Sequence, residues 1–258
     1  MHDISFIATI AIKSSIAVLF AAVGEIFTER SGVLNLGVEG MMLFGAMTGA
    51  AAGIVWGNLW IAVCCAMCAG GLLALVHAYF SVTLRVDQTL AGLALMVLGS
   101  GLAGYLGRPL IGVRGVRFAA HKLPLLSDIP FIGKILFQHS DLVYLAYLLV
   151  PLAGWILFHT RLGLRIRAAG EDAAAADAMG VNVARIRYGC TLVGGMLAGL
   201  GGASLSLAYT PGWKEGMTMG QGWIAIAMVL FSSWRPGRAA LGALLFGALA
   251  ALQFFFQA

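Results

Sequence analysis

The stretch “SGVLNLGVEGMMLFGAM”, residues 31–47, decides how this chain folds. It is as apolar as a membrane helix, yet it contains Asn35, Glu39 and four glycines. A carboxylate that faces lipid costs roughly 3 kcal/mol on insertion scales. Glu39 must therefore face protein or water, so the stretch predicts a helical bundle with polar groups buried between its helices.

The composition extends this prediction to the whole chain. Of its 258 residues, 60% are hydrophobic and 10% are charged, whereas soluble domains carry about 25% charged residues. The 35 glycines permit close helix packing and broken helices. We predict an all-α fold, a polytopic transmembrane helical bundle, with residues 1–258 as a single domain. The net charge of +5 does not indicate nucleic-acid binding, because the basic residues lie in loops between apolar runs.

Eight apolar segments approach or reach the length of about 20 residues that a membrane span needs. They lie at 4–24, 33–55, 60–80, 89–106, 141–159, 187–208, 222–233 and 239–257. The first follows “MHD” without a cleavage site, so we expect it to be retained. The seventh is short, and we expect a half-span or a re-entrant segment. Arg and Lys residues favour the side of loop 160–186, which the positive-inside rule places in the cytoplasm.

The loop sequence “GEDAAAADAMG”, residues 170–180, carries the start and stop signals of a short helix. Glu171 and Asp172 suit its first turn, and Gly180 suits its end. Four consecutive alanines favour helix and leave a thin surface that fits a groove on another protein. A connector that touches nothing is the equally supported alternative. The candidate docking residues are Glu171, Asp172, Ala173, Ala174, Ala175, Ala176, Asp177, Ala178, Met179 and Gly180.

The segment “TPGWKEGMTMGQGW”, residues 210–223, is too glycine-rich for a plain helix. Gly216 and Gly220 permit the unusual backbone angles of a re-entrant turn, and at membrane depth such a turn must line a cavity or lie inside protein. We expect residues 216–222 to form an external gate, with Trp213 at its rim. Gln221, and Gln88 in an earlier span, each stand at a helix start, where capping explains them as well as transport does.

The motifs of catalysis and metal binding are not found in the sequence. It contains no GxxxxGK[ST] phosphate loop, no HExxH and no nucleophile–base set. Its histidines are scattered, and its four cysteines lie in apolar runs with no second CxxC pair. We therefore predict no catalytic residue, no metal site and no cofactor in this chain, which is not expected to be an enzyme.

Four stretches resemble the permease subunits of ATP-binding cassette (ABC) importers for simple sugars, branched-chain amino acids and nucleosides, and the nucleoside branch in particular. They are “GEDAAAADAMGVNVARIR”, “GEIFTERSGVLNLGVEGMMLFGAMTGA”, “LPLLSDIPFIGKILFQHSDLVYLA” and “YTPGWKEGMTMGQGWIAIAMVLFSSWRPGRAALGALLFG”. The resemblance covers nearly the whole chain. It implies at least one more span after “ALQFFFQA”, so we leave open whether the chain is truncated at its C-terminus.

The resemblance also implies a function and partners. The chain would form half of the translocation path for a nucleoside or related solute in a bacterial inner membrane, with membrane lipid around it. A second homologous permease, an extracytoplasmic substrate-binding protein and cytoplasmic ATPase subunits would complete the importer, with ATP and Mg²⁺ on the ATPase subunits and no nucleic acid. The alternatives are a sugar or branched-chain amino acid permease, and an ion-coupled secondary transporter.

The pair Asn35 and Glu39 is open to two interpretations. Residues four apart share a helix face, and Gly37 and Gly40 would let another helix or a ligand approach. The pair is either a polar patch on the translocation path or a structural knot, in which Glu39 bonds backbone such as the “GEIFTER” turn. We favour the knot, because a neutral cargo needs no fixed carboxylate. The candidate path or gate residues are Asn35, Glu39, Gln88, Trp213, Gly216, Gly220 and Gln221.

Overall fold

The computed structural model describes residues 2–122, 127 and 132–257. The helices are α1 His2–Arg30, α2 Val38–Trp56, α3 Leu59–Ala78, α4 Gln88–Gly107, α5 Ile132–Leu136, α6 Asp141–His159, α7 Arg161–Glu171, α8 Ala173–Ala178, α9 Val183–Ser204, α10 Gln221–Phe231 and α11 Pro236–Gln257. Single turns of different pitch at Tyr79–Thr83, Leu205–Tyr209 and Arg108–Leu110 extend α3, α9 and α4. Strands β1 (His121–Lys122) and β2 (Gln138–His139) form one short antiparallel pair.

Among the described residues, seven helices are long and apolar enough to cross a membrane. They span Ile7–Arg30, Val38–Trp56, Leu59–Thr83, Gln88–Leu110, Asp141–His159, Val183–Tyr209 and Pro236–Gln253. Helix α10 is an apolar helix of 11 residues and is too short to cross. The prediction of a polytopic helical bundle with one short segment is therefore confirmed.

Helix α9 lies at the centre of the bundle, between α1, α2 and α3. Glycines allow this close packing: a methyl group added at Gly45 of α2 would lie 2.6 Å from Cα of Gly199. One added at Gly24 of α1 would lie 2.7 Å from the carbonyl oxygen of Gly194. Backbone-to-backbone contact of this kind is the usual way in which helices associate where lipid removes the hydrophobic driving force.

The C-terminal end of α1 meets the loop that contains α7 and α8. A methyl group added at Gly170 would lie 3.0 Å from the carbonyl carbon of Arg30 and 3.1 Å from the amide nitrogen of Gly32. We call this end of the molecule the α8 side. The ends of α1, α3 and α6 and the starts of α4 and α9 lie on this side, because each of them adjoins the residues after α1 or the loop that contains α7 and α8.

Candidate functional site

Residues 31–37, between α1 and α2, are not helical, and side chains from neighbouring helices bond their backbone. Gln88 Oε1 accepts a hydrogen bond from the Leu34 amide at 2.7 Å. His77 Nε2 lies 3.0 Å from the Leu34 carbonyl oxygen. Backbone groups inside a membrane protein need such partners, since lipid offers none. Gln88 is thus a backbone partner rather than a cap, and Asp87 caps α4 instead by accepting the amide of Leu90 at 2.9 Å.

Asn35 is fully buried in this segment. Its backbone amide donates to Glu25 Oε1 at 3.1 Å, and its side-chain Oδ1 accepts a hydrogen bond from the backbone amide of Gly37 at 3.0 Å. Because α2 begins only at Val38, the expectation that Asn35 and Glu39 share a helix face is wrong. Asn35 instead makes a turn that precedes the helix, with the short-range backbone bonding for which asparagine is suited.

The Glu39 carboxylate, in the first turn of α2, bonds the 210–223 segment. Its Oε1 accepts hydrogen bonds from Thr218 Oγ1 at 2.6 Å and from the Gly220 amide at 2.9 Å. Its Oε2 accepts the Gly222 amide at 2.6 Å. We call these four residues the Glu39 cluster. The bonding that a structural knot requires is present, but the partners lie in 218–222. The “GEIFTER” stretch is the helical end of α1 rather than a turn, and its Glu25 is bonded by Asn35.

Helix α10 fixes the depth of the Glu39 cluster. It begins at the cluster and ends near Trp234, whose Nε1 donates to Glu29 Oε2 at 2.5 Å, one residue from the end of α1. Eleven residues of helix are about 16 Å long, roughly half of a hydrocarbon core of about 30 Å. Measured along the axis of α10, the Glu39 cluster therefore lies about half a membrane thickness from the α8 side.

Two helices begin at this half-depth position, α2 after Gly37 and α10 after Gly220. The first amides of a helix have no partner within it, and its N-terminus carries a partial positive charge. Glu39 accepts amides from the start of α10 while it lies in the first turn of α2. One carboxylate thus complements both helix starts. In transporters with discontinuous helices, the helix N-termini likewise point at an anionic group, which belongs to the substrate.

The 210–223 segment contains backbone in the left-handed region. Gly216 and Gly220 have φ angles of 65° and 82°, where glycine is unstrained. Met219, between them, has a φ angle of 49°, which costs a non-glycine residue about 1–2 kcal/mol. Its side chain is 85% exposed, while that of the adjacent Thr218 is 1% exposed. A gate role for Gly216 and Gly220 stays a prediction.

Trp213 is not the exposed rim residue that we expected. Its side chain is 4% exposed and packs in an apolar cluster with Leu43 and Met47 of α2 and Ala103 of α4. Gly107 makes room for the indole, since a methyl group there would lie 2.5 Å from its Cε2. The aromatic surface fills a gap between two helices, so it is not available to a delivering protein.

Gln221 is the first residue of α10 and not its cap, which is Gly220. Its side chain is half-buried, and its Oε1 has no hydrogen-bond partner among the described residues. The capping interpretation is therefore wrong for Gln221. A role on the translocation path stays a prediction.

The predicted 171–180 helix is shorter than expected. Glu171 is the last residue of α7, and Asp172 separates α7 from α8, which covers Ala173–Ala178. Asp172 Oδ1 accepts the amides of Ala174 and Ala175, each at 3.0 Å. This cap starts a new helix at the position where we expected a first turn. Gly180 follows α8 with a φ angle of 82°, as a helix-ending glycine does.

Helix α8 presents a thin, exposed surface. Ala176 is 5% exposed and anchors the helix to the protein, whereas Met179 is 84% exposed. The remaining exposed residues of this surface are Asp172, Ala174, Ala175, Asp177, Ala178 and Gly180. The surface available for docking therefore includes most of the predicted set, without Ala176.

Arg187, near the start of α9, forms hydrogen bonds with two other segments on the α8 side. Its Nε donates to the Ser31 carbonyl at 3.1 Å, and its Nη2 donates to the Ala169 carbonyl at 3.4 Å. A cavity of about 580 Å³ adjoins it, between α8 and the α3–α4 connection, with Arg85, Gln88 and Asp177 in its wall. The α7–α8 loop, α9 and the non-helical segment after α1 are thus linked by one guanidinium group.

Sequence reasoning missed three residues of this network, Glu25, Thr218 and Arg187. Glu25 is 1% exposed, and its Oε2 has no hydrogen-bond partner among the described residues. It could have been found as a carboxylate within an apolar run, the signal that identified Glu39. Nothing in the local sequence of Thr218 or Arg187 distinguishes them from ordinary loop residues.

A bundle of membrane-spanning helices that encloses carboxylates and begins helices at half depth defines a polytopic membrane transport protein. Residues 6–258 match the family described as the permease component of the branched-chain amino acid transport system. The chain belongs to this family of ABC transporter permeases, and the resemblance noted in the sequence is confirmed. It is a multi-pass membrane protein and a transport subunit.

Similar proteins include sugar and nucleoside permeases. TsgC13 of Haloferax volcanii, provisionally a glucose ABC transporter permease protein, is 42% identical over 94% of this chain and 75% of its own. NupQ of Bacillus subtilis, a guanosine ABC transporter permease protein, is 36% identical over 95% of this chain and 80% of its own. NupC of Lactococcus lactis subsp. cremoris, a nucleoside ABC transporter permease protein, is 34% identical over 92% and 78%.

Proposed function

We propose that this chain forms half of the translocation path of an ATP-driven importer for a nucleoside or related solute. The observation that carries the proposal is its similarity, over most of both chains, to a guanosine permease and a nucleoside permease. A second homologous permease supplies the other half of the path. The chain lies in a bacterial inner membrane with its α8 side in the cytoplasm.

The ATPase subunit docks on α8. Support comes from a capped helix whose exposed residues are small, so a groove on a partner can close around it. Arg187 bonds both Ala169 of α7, the helix before α8, and Ser31, so it connects the docked subunit through α7 to the non-helical segment at 31–37. ATP and Mg²⁺ belong to the ATPase subunits, and an extracytoplasmic substrate-binding protein delivers the solute on the opposite side.

A second candidate substrate is a simple sugar. The similarity to TsgC13 supports this candidate, since TsgC13 has the highest sequence identity to this chain of the three proteins described above. The two substrates share hydroxyl groups on a five- or six-membered ring, and the permease path has no described feature that separates them. The binding protein discriminates between a nucleoside and a simple sugar, so the binding protein that accompanies the permease determines the substrate.

The test is reconstitution of the permease pair with its ATPase subunits and binding protein in proteoliposomes. We expect uptake of labelled guanosine on addition of ATP, unchanged when an ionophore collapses the proton gradient. Uptake of glucose in place of guanosine would support the second candidate. Uptake that needs the proton gradient and proceeds without ATP would contradict the importer and favour the ion-coupled alternative.

A further inference from the structure

Met219 combines two features that rarely occur together. Its backbone is left-handed at a φ angle of 49°, and its apolar side chain is 85% exposed. An exposed loop residue gains no packing that would offset this strain, so an unrestrained loop would relax to negative φ. Something outside Met219 itself must hold it in this conformation.

The Glu39 carboxylate provides that restraint. Its Oε1 accepts hydrogen bonds from Thr218 Oγ1 at 2.6 Å and from the Gly220 amide at 2.9 Å, the residues on either side of Met219. Its Oε2 accepts the Gly222 amide at 2.6 Å. A single side chain from α2 therefore clamps the backbone before and after the strained residue. Such over-determination by neighbours is the condition under which backbone strain persists, and it occurs at functional sites.

The position of Met219 limits what it can face. Measured along the axis of α10, the cluster lies about half a membrane thickness from the α8 side. Non-helical backbone is tolerated at that depth only inside protein or beside a water-filled cavity. Since Met219 is exposed in this chain, it faces either the second permease or the cavity between the two subunits.

We propose that Met219 is an apolar plug in the translocation path and that Glu39 is the positioning residue that holds it there. The inference rests on the proposed function, since it requires a path between two permease subunits. A methionine side chain is flexible and apolar, so it fills an irregular constriction against small polar solutes. Release of the clamp, by movement of α2 relative to the 210–223 segment, lets Met219 leave its left-handed conformation and opens the constriction.

The plug is tested by passive permeability. The complete complex is reconstituted without ATP, and urea entry is followed by light scattering of the vesicles. We expect Met219→Ala and Met219→Gly to raise urea permeability several-fold, and Met219→Leu to remain as tight as the wild type. Glycine relieves the backbone strain, so Met219→Gly should be at least as thermally stable as the wild type. A leak in a stable variant separates plugging from general structural damage.

The clamp is tested by Glu39→Gln. Its amide oxygen can still accept from Thr218 and Gly220, while its NH₂ group opposes the Gly222 amide. We expect a smaller rise in urea permeability than in Met219→Gly. Asp141→Asn is the matched control, since Asp141 also lies in the first turn of a membrane-spanning helix but contacts neither Met219 nor the Glu39 cluster. It should be as tight as the wild type.

Each result has one meaning. If Met219→Gly and Glu39→Gln vesicles are as tight as wild-type vesicles, the plug is wrong. If Met219→Leu leaks as much as Met219→Gly, side-chain volume does not close the path and the plug is also wrong. If the variants leak as expected but wild-type vesicles import no guanosine with ATP, the proposed substrate is wrong and the plug stands.

Discussion

The α7–α8 loop and the Glu39 cluster differ in the reach of their hydrogen bonds. In the loop, Asp172 bonds amides two and three residues further along the chain. In the cluster, Glu39 bonds groups 179 to 183 residues away. A contact between near neighbours can be inferred from spacing, whereas a contact across the whole chain depends on how the helices assemble. The α8 helix is thus a local structure, and the Glu39 cluster is a product of tertiary folding.

The strongest test of this difference is Glu39→Leu, which should have the largest effect on stability. It leaves the Thr218 hydroxyl and the amides of Gly220 and Gly222 without their acceptor. Each buried unsatisfied donor costs about 1–3 kcal/mol, so we expect a loss of roughly 3 kcal/mol or more. Thermal unfolding of the purified chain, and its yield, measure the effect.

Glu39→Gln is the control, because it keeps the shape and two of the three hydrogen bonds. It should lose about 1 kcal/mol and change the yield little. A leucine variant as stable as the wild type, with altered substrate affinity, would instead assign Glu39 to the path.

The second prediction concerns Arg187, which links α7 to the non-helical segment that precedes α2. Arg187→Ala removes the hydrogen bonds to the Ser31 and Ala169 carbonyls, so we expect a loss of about 2 kcal/mol, as for a hydrogen-bonded charge. The ATPase subunit should still bind, but its hydrolysis should no longer drive uptake. Co-purification and the ratio of solute imported to ATP hydrolysed measure the two effects.

Arg185→Ala is the control, since Arg185 is an exposed arginine on the same helix. Normal coupling in the Arg187 variant would show that the docked loop communicates with the path by another route.

The third prediction extends the comparison to the connection between α4 and α6, where His139 of β2 is fully buried. Its Nε2 lies 2.6 Å from the Ile135 carbonyl oxygen. Burial lowers the pKa of His139, the hydrogen bond to Ile135 opposes this, and the charge of Lys13 lowers the pKa further. The unfolded chain therefore binds a proton at a higher pH than the folded chain does. The buried, neutral His139 therefore contributes its full stabilisation above a pH of about 6.5. The free energy of unfolding decreases as the pH falls below that value.

We expect the melting temperature to fall by a few degrees between about pH 7.5 and about pH 5.5. His139→Gln should flatten this part of the profile. An unchanged profile in that variant would assign the acid sensitivity to another group.

The smallest effect on stability is expected at α8. Ala175→Glu and Ala178→Glu change exposed positions, so the free energy of unfolding should change by about 0.5 kcal/mol or less. Binding of the ATPase subunit and uptake should nevertheless be lost, because a bulky charge blocks the docking surface. Ala176→Glu is unsuitable, since Ala176 is buried and the variant would disturb the fold. If association and uptake both survive at Ala175 and Ala178, docking occurs elsewhere.

The predictions that succeeded rest on local physics. Apolar runs of sufficient length identified the spans, and the short run at 222–233 identified α10. The failures concern packing. Spacing alone placed Asn35 on a helix, because nothing local shows that residues 33–37 leave helical geometry to bond side chains of α1, α3 and α4. Trp213 was expected at the rim because amphipathic aromatics favour interfaces, but Gly107 opens a space for it between α2 and α4, and that pairing is visible only in three dimensions.

The distance along the chain between Glu39 and its last partner has a consequence for biosynthesis. A ribosome adds about 5–20 residues per second, so the 183 residues that separate Glu39 from Gly222 take roughly 10–40 s to make. During that time α2 enters the membrane with a carboxylate whose partners do not yet exist. It must keep contact with water, or with the insertion machinery, until α10 arrives. The packing of the first helices therefore stays incomplete during synthesis, and it is completed only after α10 has been made.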